Sequence, residues 1–482
     1  MAAGMGARTH TKGAEMQHAF RGSRRLSAFL SISALFAFAV FATGASAHTT
    51  AKHGHHKRGH HHNNGHHHGN GGVTIDNGVN WGTVPGEGPA SLYTLQNSNG
   101  MTVKITNFGG VVQSIWVPDK RGHAKDVVLG FPSLSDYVND FFQGHTGTPW
   151  PAPGGSGDTY FGAIIGRYAN RIANAAFTIP GANGGSYTLD ANNGPNTLHG
   201  GFLGWNTAVW SAATSEGPGT ASLALTNTFP SGEGCDPAQT HTPCNGFPGD
   251  VKATVVYTLT RDNQLKITYT AMNTSSSLDT VINLTNHSYF NLGGESSGSV
   301  ENQLLQINSN QYTPVNINLI PEAPYFVNVA GTPYDFRHLT PIGENIRNTN
   351  LPDGVPLTSG LKQLQIAHGY DNNWVLNGSG YRQVSTAVDP QTGIVLKTFT
   401  DQPGVQFYSS NFLVGDLIGT GGNVYRQTQG FTLETQHYPD SPHHIGDPAW
   451  PSVVLPHGGT FNSVTSYQLG VAGGHDHGHH RR

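Results

Sequence analysis

Two histidines, two carboxylates, an arginine and two amides stand in short stretches where a plain β-core would not need them. TNHSYFNLGG sets His287 among small, amide and aromatic residues, and FTLETQHYPD places Glu434 after a strand-like apolar run. His199 stands beside two glycines in NTLHGG, Asp371 falls within HGYDNNWVL, GRYANRI carries Asn170 and Arg171, and PGVQFYSSN carries Gln406. An imidazole and a carboxylate sharing a pocket are the parts of general acid–base catalysis, in which one group gives a proton while another takes one. The same side chains suit a divalent metal. They are, however, scattered between positions 199 and 434, and the folded part holds no H-x-x-x-H or H-x-H, so no metal site is expected in the folded domain. Taken singly each has a bland reading: a hydrogen-bonded structural histidine, an aspartate capping a turn, an arginine in a surface ion pair. Glu434 is harder to dismiss, because a carboxylate on a strand faces either solvent or a pocket.

The elements that would position these groups are strands. VKATVVYTLT and LKITYTAMN alternate polar and apolar residues around RDNQ, which predicts a hairpin half buried on one face. MTVKITNFGGVVQSIWV has the same texture, with Gly109-Gly110 marking a bulge or a tight turn. GIVLKTFT and VQFYSSNFLV continue it, and helical periodicity is scarce. The expectation is an all-β protein, a large and mostly antiparallel β-sandwich over residues 73–470. Two Gly/Pro-rich stretches, GHTGTPWPAPGGSGD and the loop CDPAQTHTPC, read as surface insertions. The chain has 25 Lys+Arg against 29 Asp+Glu, a near balance that gives no footprint for nucleic acid.

The ends read differently. Arg21, Arg24 and Arg25 precede the apolar run LSAFLSISALFAFAVFA, and Ala45 and Ala47 fit an A-x-A site. Residues 1–47 are therefore expected to be a signal peptide, which places the mature protein in the periplasm or outside the cell, with no membrane anchor after cleavage. Residues 48–72 and 471–482 are histidine-rich and almost without apolar residues, so neither is expected to order, and their imidazoles suit transition metals, either as a function or as an incidental affinity of a solvated tail. In an exported chain Cys235 and Cys244 are expected to form a disulfide that pins the short loop between them.

Seven motifs in order, GRYANRI, NTLHGG, TNHSYFNLGG, GTPYDFR, GYDNNW, PGVQFYSSNF and LETQHYPDSP, resemble those of the aldose 1-epimerases, also called galactose mutarotases. The resemblance runs from about Tyr93 to Leu469. It implies the family's β-supersandwich, an open sugar cleft, and neither a metal nor an organic cofactor. Position by position it makes His287 the general acid and Glu434 the general base. His199 becomes a second active-site histidine near the sugar's ring oxygen, and Asn170, Arg171, Asp371 and Gln406 become ligands of sugar hydroxyls. The implied reaction interconverts the α and β anomers of free aldohexoses. A proton leaves the anomeric hydroxyl, another reaches the ring oxygen, and the ring recloses on the other face. On this reading acid and base flank the substrate from opposite sides, and the pocket raises the pKa of both modestly. A non-catalytic carbohydrate-binding protein on the same scaffold, or a metal-binding protein acting through its histidine tails, are the alternatives. Three departures from the family pattern stand out: Asn372 where His is usual, His443 where Asn is usual, and VVLPHGG, which lacks the usual arginine. The first bears on substrate preference.

Overall fold

The computed structural model of the chain describes residues 72–142, 158–237, 244–355 and 360–473. The expected signal peptide, all but the last residue of the histidine-rich segment, and the tail beyond 473 lie outside these residues. So do most of the first Gly/Pro-rich stretch and the tip of the cysteine loop. Among the described residues no helix is long and apolar enough to cross a membrane.

The alternating text becomes strand. In Val251–Thr260 every second residue from Val251 is buried, and Gln264–Asn273 runs antiparallel beside it with Leu265 opposite Leu259. Asn263 turns the chain at φ 56°, a left-handed conformation that asparagine tolerates better than most residues. This hairpin sits inside a nine-stranded antiparallel sheet. Its spatial order is Ser211–Gly217, Thr220–Phe229, Val251–Thr260, Gln264–Asn273, Thr460–Val471, Ile394–Thr400, Arg382–Val388, Leu304–Ile307 and Thr340–Pro341. A six-stranded antiparallel sheet follows the order Tyr289–Phe290, Phe431–Gln436, Gly404–Tyr408, Asp371–Leu376, Ser309–Thr313 and Val327–Asn328. Another six-stranded sheet is built from the segment between Thr74 and Asp126.

All three share one apolar core. Tyr257, Ile267 and Leu396 enter it from the nine-stranded sheet, Trp374, Phe407 and Leu433 from the second, and Val103, Ile105 and Ile115 from the N-terminal one. Each large apolar side chain buried this way contributes about 1.5–3 kcal/mol relative to exposure. The all-β sandwich read from the sequence is the fold. At Gly109-Gly110 the structure has both devices that the sequence left open. The two glycines turn at φ 61° and 58°, and the register slips between Lys104 and Ile105 just before them. A Cβ on Gly109 would meet the Asn206 carbonyl oxygen at 2.4 Å, so no side chain fits.

Among the described residues, the longer of two α-helices departs most from the strand texture. Leu134–Phe141 is capped by Ser133, whose hydroxyl accepts from the Asp136 N–H, and buries Leu134, Tyr137 and Phe141. The i, i+3, i+7 spacing was present in the text, but eight residues give a period little room to declare itself. The disulfide joins Cys235 to Cys244, with Cα atoms 5.9 Å apart. The excursion that carries it is fastened from below. Fully buried Arg167 pairs with Glu233 at 2.9 Å and donates to the carbonyls of Phe229, Pro230, Pro248 and Gly249. Asp190 takes the Asp236 N–H and gives its own to the Gly234 carbonyl, so the loop braces the segment that leads to the cavity described next.

Candidate active site

The strands Asp371–Leu376, Gly404–Tyr408 and Phe431–Gln436 are neighbours in the second sheet. Side chains alternate between the faces of a strand. Trp374, Phe407 and Leu433 therefore go to the core, while Asp371, Tyr408 and Glu434 go to the other face, where they line a cavity of about 350 Å³. Register sets Gln406 opposite Glu434, and Tyr408 opposite both Asp371 and Thr432.

The facing wall comes from loops and two-residue strands. Thr285–Asn286 pairs with Ile164–Ile165 and delivers His287, whose N–H donates to the Ala163 carbonyl at 3.0 Å. Arg171–Ile172 pairs with Thr197–Leu198 and delivers His199. Asn170 and His199 both stand at positive φ, 65° and 55°, which costs non-glycine residues energy that local bonds must offset. Those bonds are reciprocal. The Asn170 N–H donates to His199 Nδ1 at 3.1 Å, the His199 N–H donates to the Asn170 carbonyl at 3.2 Å, and Asn170 Oδ1 accepts the Arg171 N–H at 2.8 Å. Gly200 follows because a Cβ there would lie 2.2 Å from the Gly166 carbonyl oxygen.

This geometry fixes a tautomer. A ring nitrogen that accepts from a backbone N–H carries no proton, so neutral His199 holds its hydrogen on Nε2. Burial, and then the neighbouring His287 and Arg171, hold its pKa well below the ordinary histidine value, so it is a neutral donor.

His287 and Glu434 meet at the cavity floor, Nε2 to Oε1 3.4 Å, both almost without exposure. His287 Nδ1 is buried with no partner, which leaves Nε2 as the working nitrogen. Glu434 Oε1 also accepts the Thr432 hydroxyl at 2.8 Å, and Oε2 has no partner. Burial raises the Glu434 carboxyl to about 8, against the lowering effect of the Thr432 bond. Burial lowers the His287 imidazole to about 3. The expectation that both values rise thus fails for His287, because desolvation opposes whichever form is charged. Acid and base also touch each other instead of standing on opposite sides of a substrate.

Arg171 donates from Nε to Asn193 Oδ1 at 3.0 Å and turns Nη1 towards Asp371 Oδ2 at 3.7 Å. Burial raises the Asp371 carboxyl, with Arg171 and Gln406 pulling it down. Six of the seven residues singled out in the sequence, His287, Glu434, His199, Asp371, Asn170 and Arg171, line the cavity. Gln406 does not. Its Nε2 donates to Asp371 Oδ1 at 2.7 Å, which places it behind that carboxylate.

Sequence reasoning passed over Asp158, Thr159, Tyr160, Asn192, Asn193, Leu198, Leu319, Tyr408, Phe412 and Leu413, which complete the lining. Tyr408 was legible, two residues beyond Gln406 on one strand face. The loop residues carried no periodic signal. Of the adjacent aromatics, Tyr289 lines the cavity and Phe290 is core.

The departures fall outside the cavity. Asn372 points away from it and donates to the Thr313 carbonyl and Gln363 Oε1, so it does not set substrate preference by contact. His443 bonds to Asp440 at 2.7 Å, and His457 to Asp279 at 2.9 Å.

His199, His287 and Glu434 bring one donor atom each within 4.8 Å of one another, where a divalent metal would sit if the site took one. The donor set does not fit. Ligating histidines give their far N–H to an acceptor, whereas His199 Nδ1 faces a donor and its Nε2 has no lone pair to offer. Glu434 and His437 also form an E-x-x-H, but His437 lies just past the end of the strand and does not line the cavity.

Residues 91–468 match the family model described as aldose 1-epimerase. The rat (Rattus norvegicus) galactose mutarotase is 33% identical over 394 residues, covering 81% of this chain and 98% of its own. The Escherichia coli K12 aldose 1-epimerase is 34% identical over 385 residues, covering 79% and 95%. The crystal structure of galactose 1-epimerase from Lactobacillus acidophilus superposes with a TM-score of 0.64 at 23% identity, covers 83% of this chain and 99% of its own, and shows the same fold. This chain belongs to the aldose 1-epimerase family, isomerases that interconvert the α and β anomers of aldoses.

Proposed function

We propose that the cavity binds one free aldohexose, glucose or galactose, and that Glu434 and His287 exchange its protons. Glu434 takes the proton of the anomeric hydroxyl, the O–H electrons form the C1 carbonyl, the bond from C1 to the ring oxygen breaks, and that oxygen takes a proton from His287 Nε2. Rotation about C1–C2 and the reverse steps give the other anomer. His199 donates from Nε2 to a substrate oxygen, and Arg171, Asn170 and Asp371 hold hydroxyls while the carbonyl end turns. The observation that carries this is the 3.4 Å approach of His287 Nε2 to Glu434 Oε1, both lining the cavity. Between about pH 3 and about pH 8 the pair holds a neutral imidazole and a neutral carboxyl. Moving one proton across gives an imidazolium beside a carboxylate, the same composition in working form. A cavity of about 350 Å³ sits at the small end of ligand pockets, about 300–1,000 Å³, and suits one monosaccharide better than a chain. The same reading includes export, supported by the apolar run before Ala47 and by the disulfide. Polarimetry on freshly dissolved α-glucose and α-galactose tests the activity. Faster relaxation at neutral pH is expected, and an unchanged rate with both sugars would leave a sugar-binding protein without catalysis.

A further inference from the structure

The two oxygens of Glu434 have different surroundings. Oε1 accepts the Thr432 hydroxyl at 2.8 Å and lies 3.4 Å from His287 Nε2, while Oε2 is buried without a partner. Thr432 is fully buried two residues before Glu434 on the same strand. Two residues along a strand is the spacing that puts both side chains on one face. In the ladder Thr432 is flanked by Tyr289 on one side and Tyr408 on the other, both cavity-lining. A β-branched side chain in that slot has few rotamers, and its single O–H points at Glu434.

We propose that Thr432 is a positioning residue for the catalytic base: its hydroxyl holds Oε1 of Glu434 and so leaves Oε2 as the atom that exchanges the anomeric proton. This rests on the assignment of Glu434 as base. With Oε1 holding the Thr432 hydroxyl and facing His287 Nε2, Oε2 is the oxygen left free for the substrate. A donor on Oε1 also favours the ionised form, which is the form that takes the proton. The other titratable or charged groups around Glu434 are His287, His199, Asp371, Arg171, Tyr289, Tyr408 and Tyr467. Among the described residues, none of these groups donates a hydrogen bond to either carboxylate oxygen.

The test compares Thr432→Val, which keeps shape and removes the donor, with Thr432→Ser, which keeps the donor. Each full-length variant is first checked for folding by circular dichroism. In Thr432→Val we expect kcat about tenfold lower, KM within twofold of the original, and an alkaline limit of the pH–rate profile about one unit higher. Thr432→Ser should restore both kcat and the limit. Unchanged kcat in Thr432→Val overturns the proposal. So does a loss of kcat with an unmoved alkaline limit, or one that Thr432→Ser fails to rescue, since both mark a purely structural role. Glu434→Gln, assayed alongside, separates the two assignments: if it retains full turnover, the base itself is misassigned, and Thr432 falls with it.

Discussion

The two walls of the cavity are built by different means. Glu434, Asp371 and Tyr408 stand on adjacent strands whose positions are set by ladder register and shared core packing. Asn170, Arg171 and His199 stand in irregular backbone held by side-chain and main-chain bonds among themselves. The backbone of the strand wall is set whatever its cavity-facing side chains are, so a substitution there changes chemistry or one side chain's aim and leaves the ladder in place. The loop wall owes its shape to the very side chains that face the sugar, so a substitution there alters both.

The largest effect should come from the strand wall. Glu434→Gln keeps size and removes the base, and turnover should fall at least about 10² while KM stays near its original value. The same change should stabilise the fold at alkaline pH. With its folded pKa raised to about 8, Glu434 stays protonated in the native state while the unfolded chain has already ionised, so native stability declines as pH rises from about 4.5 to about 8. Glutamine does not ionise. Its melting temperature should exceed the parent's at pH 8.5 and match it near pH 4; a lower value at pH 8.5 would show that the carboxylate is not desolvated as described.

The pH profile comes next. An unperturbed pair, Glu near 4.3 and His near 6.5, would work only between those values and lose about tenfold by pH 7.5. Here the carboxyl is raised to about 8 and the imidazole lowered to about 3. Above the upper value the pair has lost its acid proton, and below the lower one it has no base. We expect kcat/KM to be flat from pH 5 to pH 7.5 and to fall about tenfold per unit beyond 8. A maximum near pH 5.5 would mean that the cavity solvates the pair as water does.

The contrast between the walls also explains what the sequence revealed. Period-two text made Val251–Thr260 and Gln264–Asn273 legible as a hairpin, because one face of each is core and the other is not. Glu434 was legible as an anomaly on a strand, and alternation from Gln406 reached Tyr408. On the loop wall, nothing in the spacing of Tyr160, Asn193 and His199 foretold their meeting. Their positions depend on left-handed residues and on bonds between segments far apart in the chain, and only the family resemblance gave Asn170, Arg171 and His199 their roles. The direction of the His287 shift was beyond any motif, since it follows from desolvation that only the packed cavity imposes.

On the loop wall, Asn170→Ala should act through geometry. It removes the Oδ1 bond to the Arg171 N–H and puts alanine at φ 65°, a conformation that costs alanine about 1–2 kcal/mol. Arg171 loses that support, and the main-chain bonds to His199 must hold against the strained backbone alone. We expect KM to rise about tenfold, kcat to fall less than that, and the melting temperature to drop by a few degrees. A drop in kcat alone, with KM unchanged, would place Asn170 in the chemistry and erase the distinction between the walls.

The smallest effect belongs to Gln406, and it decides between two roles. The family resemblance makes it a sugar ligand, whereas the structure places it behind Asp371 with its amide spent on Asp371 Oδ1. Gln406→Met keeps length and removes that donor. Asp371 then loses one of the two groups that favour its charged form, leaving Arg171 at 3.7 Å. The substitution also removes Gln406 Oε1, a buried acceptor without a partner, and losing an unsatisfied polar atom offsets the stability lost with the bond. We expect KM to rise about threefold, kcat to stay within twofold and the melting temperature to move little. A direct sugar contact would behave otherwise. A site built to bond a hydroxyl loses far more when its partner amide is gone, so a fall of 10² or more in kcat/KM would put Gln406 back on the sugar. In that case substrate must draw Gln406 forward past Asp371, and the strand wall would be less rigid than its ladder implies.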